Sequence, residues 1–491
     1  MTTPLLPPAV PTATSSSAGV LPEVAYAQQT LARLPLAESV LLLWQQIADP
    51  AFLQGLFDRH RGRCYDKLLS FPHLVQLIAD ALLQHDGSAR ASFEHALQDD
   101  ALEVTIPAAY GKLRRLPVAV SIALLAAGTA RLRPLVPPRP AAVIPPRLQG
   151  FTVTVLDGKA IKRVAKRLKL LRGTRGGLLG GKALVALELN TGLAVALQAD
   201  PDGESNEVRL VPELLPAVRQ SRPGPRLWLA DRQFCDLVQA AAFTAEGGDH
   251  FLVRYHSKVR FCPDPARPVR REQDSQGRSY EEEWGWLGCE ANKARRPVRR
   301  VRLRRDGAED IILVTDLWDA ARYPAEDLLE LYLARWGIER VFQQVTEVFS
   351  LKRLIGGTPQ AGIFQLSFCL LLYNMIQVMR AQVAAEEGWQ PEDISLEKLF
   401  TDVGRELTAW GVLVTPAATV AALGEVPSGA ELQRRLGALL SAVWQDRWLK
   451  AVNEKPRPHQ TRPRAARTHT SVHRVLEDHR RQQRAKHPLT T

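Results

Sequence analysis

The sequence predicts an α/β fold with helical regions on either side, on three observations. "FTVTVLDG", beginning at Phe151, alternates, is rich in β-branched residues and ends in Asp-Gly, as a strand does. "GGKALVALELNTGLAVALQAD" contains two more strands around the turn Asn190-Thr191-Gly192. "RLWLADRQF" and "DHFLVRY" are strands separated by the helical "CDLVQAAAFTAEGG", and a helix "SNEVRLVPELLPAVRQ" precedes them. Strand, hairpin, helix, strand, helix, strand describes a three-layer domain with a mixed sheet.

The rest of the chain divides around that domain. Residues 1–29 are a Pro/Ser/Thr-rich leader without the basic and apolar regions of a signal peptide, and are expected to be disordered. Residues 30–135 read as helices joined by capped loops, a DNA-binding domain dotted with Arg61, Arg63, Lys67, Lys112, Arg114 and Arg115. A Pro-rich linker covers 136–150. The α/β domain takes 151–254 as its first part and 311–358 as its second. Between them, 255–310 has turn signals and short alternating runs, a β-rich insertion. A helical region spans 359–452, and 453–491 is a basic tail with little apolar content, expected to be disordered.

A chain of 491 residues exceeds one hydrophobic core, so two to four domains are expected. The net charge of +12 favours a polyanionic partner, nucleic acid or an anionic membrane surface. The membrane option is weakened by the apolar runs themselves. "LPVAVSIALLAAGTARL" is short and carries Pro117, and "GIFQLSFCLLLYNMIQVM" is interrupted by Gln365, Ser367 and Asn374. Both read as core helices. Five scattered cysteines with no CxxC argue for a reducing compartment and against disulfides or a zinc ribbon.

Three acidic residues stand where chemistry is done. Asp157 and Asp231 each close a predicted strand, and the ends of strands in an open α/β sheet line its ligand crevice. Glu339 lies on the helix "YLARWGIERVFQQVTEVF". At about 100° per residue, Tyr332, Arg335 and Glu339 fall within about 60° of one another. Leu331, Ile338, Phe342, Val345 and Phe349 form the apolar stripe beside them. On the helix alone, Arg335 and Glu339 also read as a plain surface ion pair. Converging carboxylates repel unless a cation neutralises them, and hard oxygen ligands suit Mg²⁺ or Mn²⁺. Two such ions can clamp both oxygens of an in-line phosphoryl transfer.

Around these residues, "LDGK" at Asp157, "LADRQF" at Asp231 and "YLARWGIE" at Glu339 resemble DDE transposases of the insertion-sequence-four family. That family is named for a Tyr-Arg-Glu-Lys signature on the helix bearing the third carboxylate. The resemblance covers roughly residues 30 to 380 and includes "HFLVRY", "IILVTDL", "YPAEDLLELY" and "LKRLIGGTP". It implies an RNase H-like catalytic domain with a β-rich insertion before the Glu. Asp157, Asp231 and Glu339 would be the catalytic residues and would bind two Mg²⁺ ions, with Mn²⁺ able to substitute. Water would attack at a transposon end, and the freed 3′-OH would attack target DNA. Tyr332 and Arg335 would hold DNA phosphates. Implied too are a homodimer on terminal inverted repeats, a bacterial element, no membrane partner, and a cytoplasmic, nucleoid-associated location.

The signature lysine should stand seven residues after Glu339, where this chain has Thr346. Helical geometry turns Thr346 toward the same site and Lys352 away from it. A hydroxyl can bond a phosphate but brings no charge. "GKAIKRVAKRLKLLRGTRGG" carries eight Lys/Arg and no acid, including Lys159, Lys162 and Arg163, and suits a DNA-backbone groove. Trp284 and Trp286, in the insertion, are either packing residues or a platform for a flipped base. Asn206 and Glu207 have no assigned role. Two alternatives stand beside the leading reading: a decayed or repurposed transposase that binds DNA without catalysis, and an RNase H-like nuclease.

Overall fold

A computed structural model describes residues 22–83, 85, 87–139, 143–162, 169–174, 176–275, 277–289, 294–305, 307, 309–349, 351, 355–425, 427, 429–450 and 469–486. Helices open this part of the chain: α1 (Pro22–Leu31), α2 (Pro35–Ala48), α3 (Pro50–His60), α4 (Phe71–Leu83), α5 (Ala89–Gln98), α6 (Ile106–Arg115) and α7 (Val118–Leu132). Their starts follow local chemistry. Proline occupies the first turn of α2, α3 and α6, where its missing N–H is not needed. Asp49 and Ser88 cap α3 and α5 by accepting from Phe52 and Ala91 N–H groups. α1 begins inside the segment expected to be a disordered leader, while 1–21 lie outside the described residues.

β1 (Thr152–Lys162), β2 (Gly177–Glu188) and β3 (Leu193–Asp200) then form an antiparallel meander. Its second turn closes on Gly192, whose φ of 75° excludes most side chains. α8 (Val211–Ser221) carries the chain back so that β4 (Arg226–Ala230) lies parallel to β1. α9 (Leu237–Phe243) repeats the crossover and sets β5 (Asp249–Arg254) parallel to β4.

The insertion does not leave the sheet. β6 (Phe261–Pro263), β7 (Arg270–Gln273), β8 (Ser279–Cys289) and β9 (Ala294–Leu303) are antiparallel strands, and β10 (Ile311–Thr315) joins β9 to β5. With β11 (His469–Ser471) at one edge, the order is β11-β2-β1-β4-β5-β10-β9-β8-β6, with β3 on β2 and β7 on β8. Many insertion arginines are spent on acids of the neighbouring strand: Arg299 on Glu282, Arg300 on Glu283, Arg304 and Arg271 on Glu281. Trp284 is buried and donates to the Trp318 carbonyl at 3.0 Å, which makes it a packing residue. Trp286 is half-buried beneath the Arg295 guanidinium.

After β10 come α10 (Ala325–Ala334), α11 (Gly337–Glu347), α12 (Pro359–Glu387), α13 (Leu396–Leu413), α14 (Pro416–Leu423) and α15 (Gly429–Leu440). α12 is buried from Ala361 to Ala384. It and the Val118–Leu135 segment are long and apolar enough to cross a membrane by length and composition, but α12 is enclosed within this fold. Its polar residues are matched to neighbours. Asn374 accepts from Ala194 N–H at 2.9 Å and donates to Thr129 and the Ala194 carbonyl, each at 2.8 Å. α7, α12 and β3 are thereby locked together, and the helical regions share one continuous apolar core with the sheet. Lys112, read as a DNA-backbone contact, is instead buried against Asp66 and the Leu69 carbonyl.

Two expectations are corrected here. The tail over 453–491 is not disordered throughout: β11 (His469–Ser471) pairs parallel with β2, and α16 (Val472–Lys486) follows. The edge of β2 over residues 177–179, beyond its pairing with β3, and the acids Asp202 and Glu204, which hold Arg474 and Ser471, provide partners that composition could not reveal. The helix from Tyr332 to Phe349 is two helices. Arg335 and Trp336 bond back three residues rather than four, to Tyr332 at 3.0 Å and Leu333 at 3.4 Å, and Gly337, a weak helix former, follows.

Candidate active site

β1 and β4 bring the two aspartates side by side. Their parallel pairing ends at Leu156 opposite Ala230, and the next residues are Asp157 and Asp231. Asp157 was expected at the end of its strand. It lies within β1, which runs on to Lys162 because β2 continues to pair with it after β4 has stopped. The crevice thus opens where β1 loses one neighbour. Asp231 leads into a short 3₁₀ turn, and its Oδ1 is buried with no hydrogen-bond partner.

α11 packs against β1 and α12 through its apolar stripe; Ile338, Phe342 and Val345 are buried, as are Leu331 and Phe349. The polar stripe then faces the aspartates. Arg335 is 4% exposed, and its Nη2 donates to Glu339 Oε1 at 3.1 Å. Glu339 lies in the first turn of α11 with a side chain 57% exposed. Tyr332 is buried, with its hydroxyl unpartnered and its ring 5.6 Å from the Arg335 guanidinium.

The electrostatics tie these groups into one unit. Burial pushes the Asp157 carboxyl up to about 6. Arg335 and the Gly158 N–H pull it down, and the charges of Glu339 and Asp231 push it up. Burial works against the Arg335 charge, yet Tyr332, Asp231, Asp157 and Glu339 together hold its pKa above the usual value. Burial also raises the Tyr332 phenol.

A cleft of about 910 Å³ opens beside this unit, lined by Asp157, Lys159, Lys182, Glu207, Glu339 and Thr346 among others. Lys159 crosses from β1 to α11, donating to Thr346 Oγ1 at 3.0 Å and to the Phe342 carbonyl at 3.4 Å. Burial lowers its pKa. Thr346 donates in turn to the Phe342 carbonyl at 2.6 Å. Lys162 is exposed at the end of β1. Arg163 and Lys352 lie outside the described residues.

Glu207 is the residue that sequence reasoning left unassigned. It is buried, ion-paired to Lys182, and accepts a hydrogen bond from Gln233, two residues beyond Asp231. Its carboxyl also fills the space above Gly158, where a Cβ would stand 2.7 Å away. Glu207 therefore braces the strand turns that carry both aspartates. The sequence signal was the glycine directly after Asp157.

The donors suit a hard divalent cation: the carboxylates are oxygen ligands, and Asp231 Oδ1 is buried and unsatisfied. Asp157, Asp231 and Glu339 are the residues that would hold such an ion, and among the described residues their side chains are not drawn together into a closed ligand group. The Arg335 guanidinium lies among these acids and is paired with Glu339.

Carboxylates at the mouth of a crevice in an α/β sheet are suited to metal-assisted phosphoryl transfer. Residues 149–375 match the family model described as a transposase DDE domain, a span that contains Asp157, Asp231 and Glu339. The enzyme class is that of a DDE transposase, and such enzymes use divalent metal ions. Comparison with curated proteins gives no match. A solved structure, a piggyBac transposase synaptic complex with hairpin DNA, is similar at 12% identity over 89% of this chain and 81% of that one. Its TM-score is 0.30.

Proposed function

We propose that the protein cuts DNA at the terminal inverted repeats of a bacterial insertion sequence and joins the freed ends to target DNA by a cut-and-paste route. The observation that carries this is the meeting of Asp157 and Asp231 at the end of the β1–β4 pairing, with Arg335 and Glu339 folded against them. Membership of the insertion-sequence-four group is supported by Tyr332, Arg335 and Glu339 in signature spacing, with Thr346 as the departure. The strand order β3-β2-β1-β4-β5, antiparallel then parallel, supports an RNase H-like core.

Asp157 and Asp231 would hold Mg²⁺, or Mn²⁺ in its place, with Glu339 as the third arm. The bound ions would supply charge stabilisation for an in-line displacement at phosphorus. A DNA phosphate would compete with Glu339 for the Arg335 guanidinium, freeing the carboxylate to turn toward the aspartates. Tyr332, Lys159, Lys162 and Thr346 would hold neighbouring phosphates, and Arg163 is proposed alongside them. In cleavage, a water oxygen bonds to phosphorus and the 3′ oxygen leaves with a proton; in joining, that 3′-OH attacks a target phosphodiester and displaces another 3′ oxygen. The working form would be a homodimer, in the cytoplasm at the nucleoid.

A second reading is a protein that binds DNA without cutting it, favoured by Thr346 at the signature-lysine position. Excision of a marker flanked by the gene's own bordering DNA separates the two. Excision by wild type and none by Asp157→Asn supports the transposase. Binding without excision by either supports the second reading.

A further inference from the structure

We infer that Lys159 and Thr346 form one two-point grip for a DNA phosphate at the rim of the acidic cleft, with Lys159 carrying the positive charge that position 346 lacks. This rests on the transposase reading above. Lys159 follows Asp157 by two residues, so alternation along β1 sends both side chains to the same face. Its stem passes the Phe342 ring, with Nζ 5.3 Å from the centroid, and Nζ reaches Thr346 Oγ1 at 3.0 Å. The lysine charge is thereby delivered from the strand to the very helix position that has only a hydroxyl.

Two other cations beside the cleft are committed, and Lys162 lies exposed at its edge. Lys182 is paired with Glu207, and Arg335 with Glu339. Lys159 differs, because its described hydrogen-bond partners are a hydroxyl and a carbonyl, both neutral. The charges of Asp157 and Glu347 act on this ammonium without a described hydrogen bond to it, so a phosphate would add a direct anionic partner. An ammonium has three donors, and two are used here, so one remains for a phosphate oxygen. The Thr346 hydroxyl bonds the Phe342 carbonyl now and can turn to the same phosphate.

The test is equilibrium binding of the full-length protein to a duplex carrying the gene's bordering sequence, measured across a range of salt. Wild type, Lys159→Gln, Lys159→Arg and the double variant Lys159→Gln/Thr346→Lys are compared. Loss of one phosphate contact should weaken Lys159→Gln several-fold and reduce its log–log salt slope by about 0.9. Lys159→Arg should keep the wild-type slope, and the double variant should regain it. A merely structural role would not give that exchange between strand and helix. An unchanged slope in Lys159→Gln, or a double variant that stays at the lowered slope, overturns the grip while leaving the transposase reading intact. Wild type that fails to bind the duplex overturns both.

Discussion

Arg335 and Glu339, four residues apart across the break between α10 and α11, form an ion pair at 3.1 Å in which the arginine is buried and the glutamate is more than half exposed. The buried partner also feels Asp157 and Asp231, so one guanidinium balances three acids. Arg335→Gln should therefore tighten binding of Mn²⁺ to the protein, because the cation would take over that balance. DNA cleavage should fall at the same time through loss of the phosphate contact. Calorimetric titration with Mn²⁺ checks the first half, and unchanged affinity would remove Arg335 as the neutralising group.

Asp157 sets a pH dependence in metal-free protein. Its carboxyl is pushed up to about 6 by burial, above the ordinary value of 3.8, so the folded state holds the proton more tightly than the unfolded state. The cost of ionising it is absent below the ordinary value and complete above the raised one. Asp157→Asn removes that cost. It should stabilise the metal-free protein by up to about 3 kcal/mol at pH 8 and be nearly neutral at pH 4. Denaturant titrations in a chelator at both pH values test this; a difference that does not vary with pH would contradict it.

Asp231→Asn removes a ligand oxygen that is buried and unsatisfied. Cleavage should disappear while binding to the ends stays within a few-fold of wild type, since no DNA contact is lost. Gel-shift and nicking assays on the same preparation separate the two. Joint loss would assign Asp231 a structural role.

Gly158→Ala forces a methyl to within 2.7 Å of the Glu207 carboxyl, which is itself held by Lys182 and Gln233. The crowding should cost about 1–3 kcal/mol. Adding Glu207→Ala should recover part of the stability by vacating the space. Thermal melts of the single and double variants read this out, and no recovery would place the strain elsewhere.

Ending the chain at residue 468 removes β11 and α16 and bares the edge of β2 over residues 177–179. Lower thermal stability and concentration-dependent self-association are expected, because an unpaired strand edge invites another strand. Sedimentation at two concentrations detects it; a monodisperse, equally stable product would show that the edge pairing contributes little.

Alternation and turn chemistry in "FTVTVLDG" and "GLAVALQAD" made β1 and β3 readable, since those patterns are local. The apolar stripe of α11 was readable for the same reason, and it determines which side of the helix Glu339 and Thr346 occupy. The break at Arg335–Trp336 was less so, because hydrogen bonds to residues three back leave little mark on composition. Glu207 was missed because its partners Lys182 and Gln233 are distant in sequence and meet only through the sheet.

From its sequence alone this protein has its strand and helix periods, its basic charge and the residues Asp157, Asp231 and Glu339, all set by side-chain chemistry over short stretches. Tertiary structure decided what those residues touch. Parallel pairing of β1 with β4 sets the aspartates together, and packing of α11 on β1 brings Arg335 among the acids and Thr346 under Lys159. The same long-range pairing turned much of a basic insertion into a salt-bridged sheet and part of a polar tail into strand and helix. Charges acquire their partners only when the chain closes on itself, because the interaction falls with distance in space and not along the sequence.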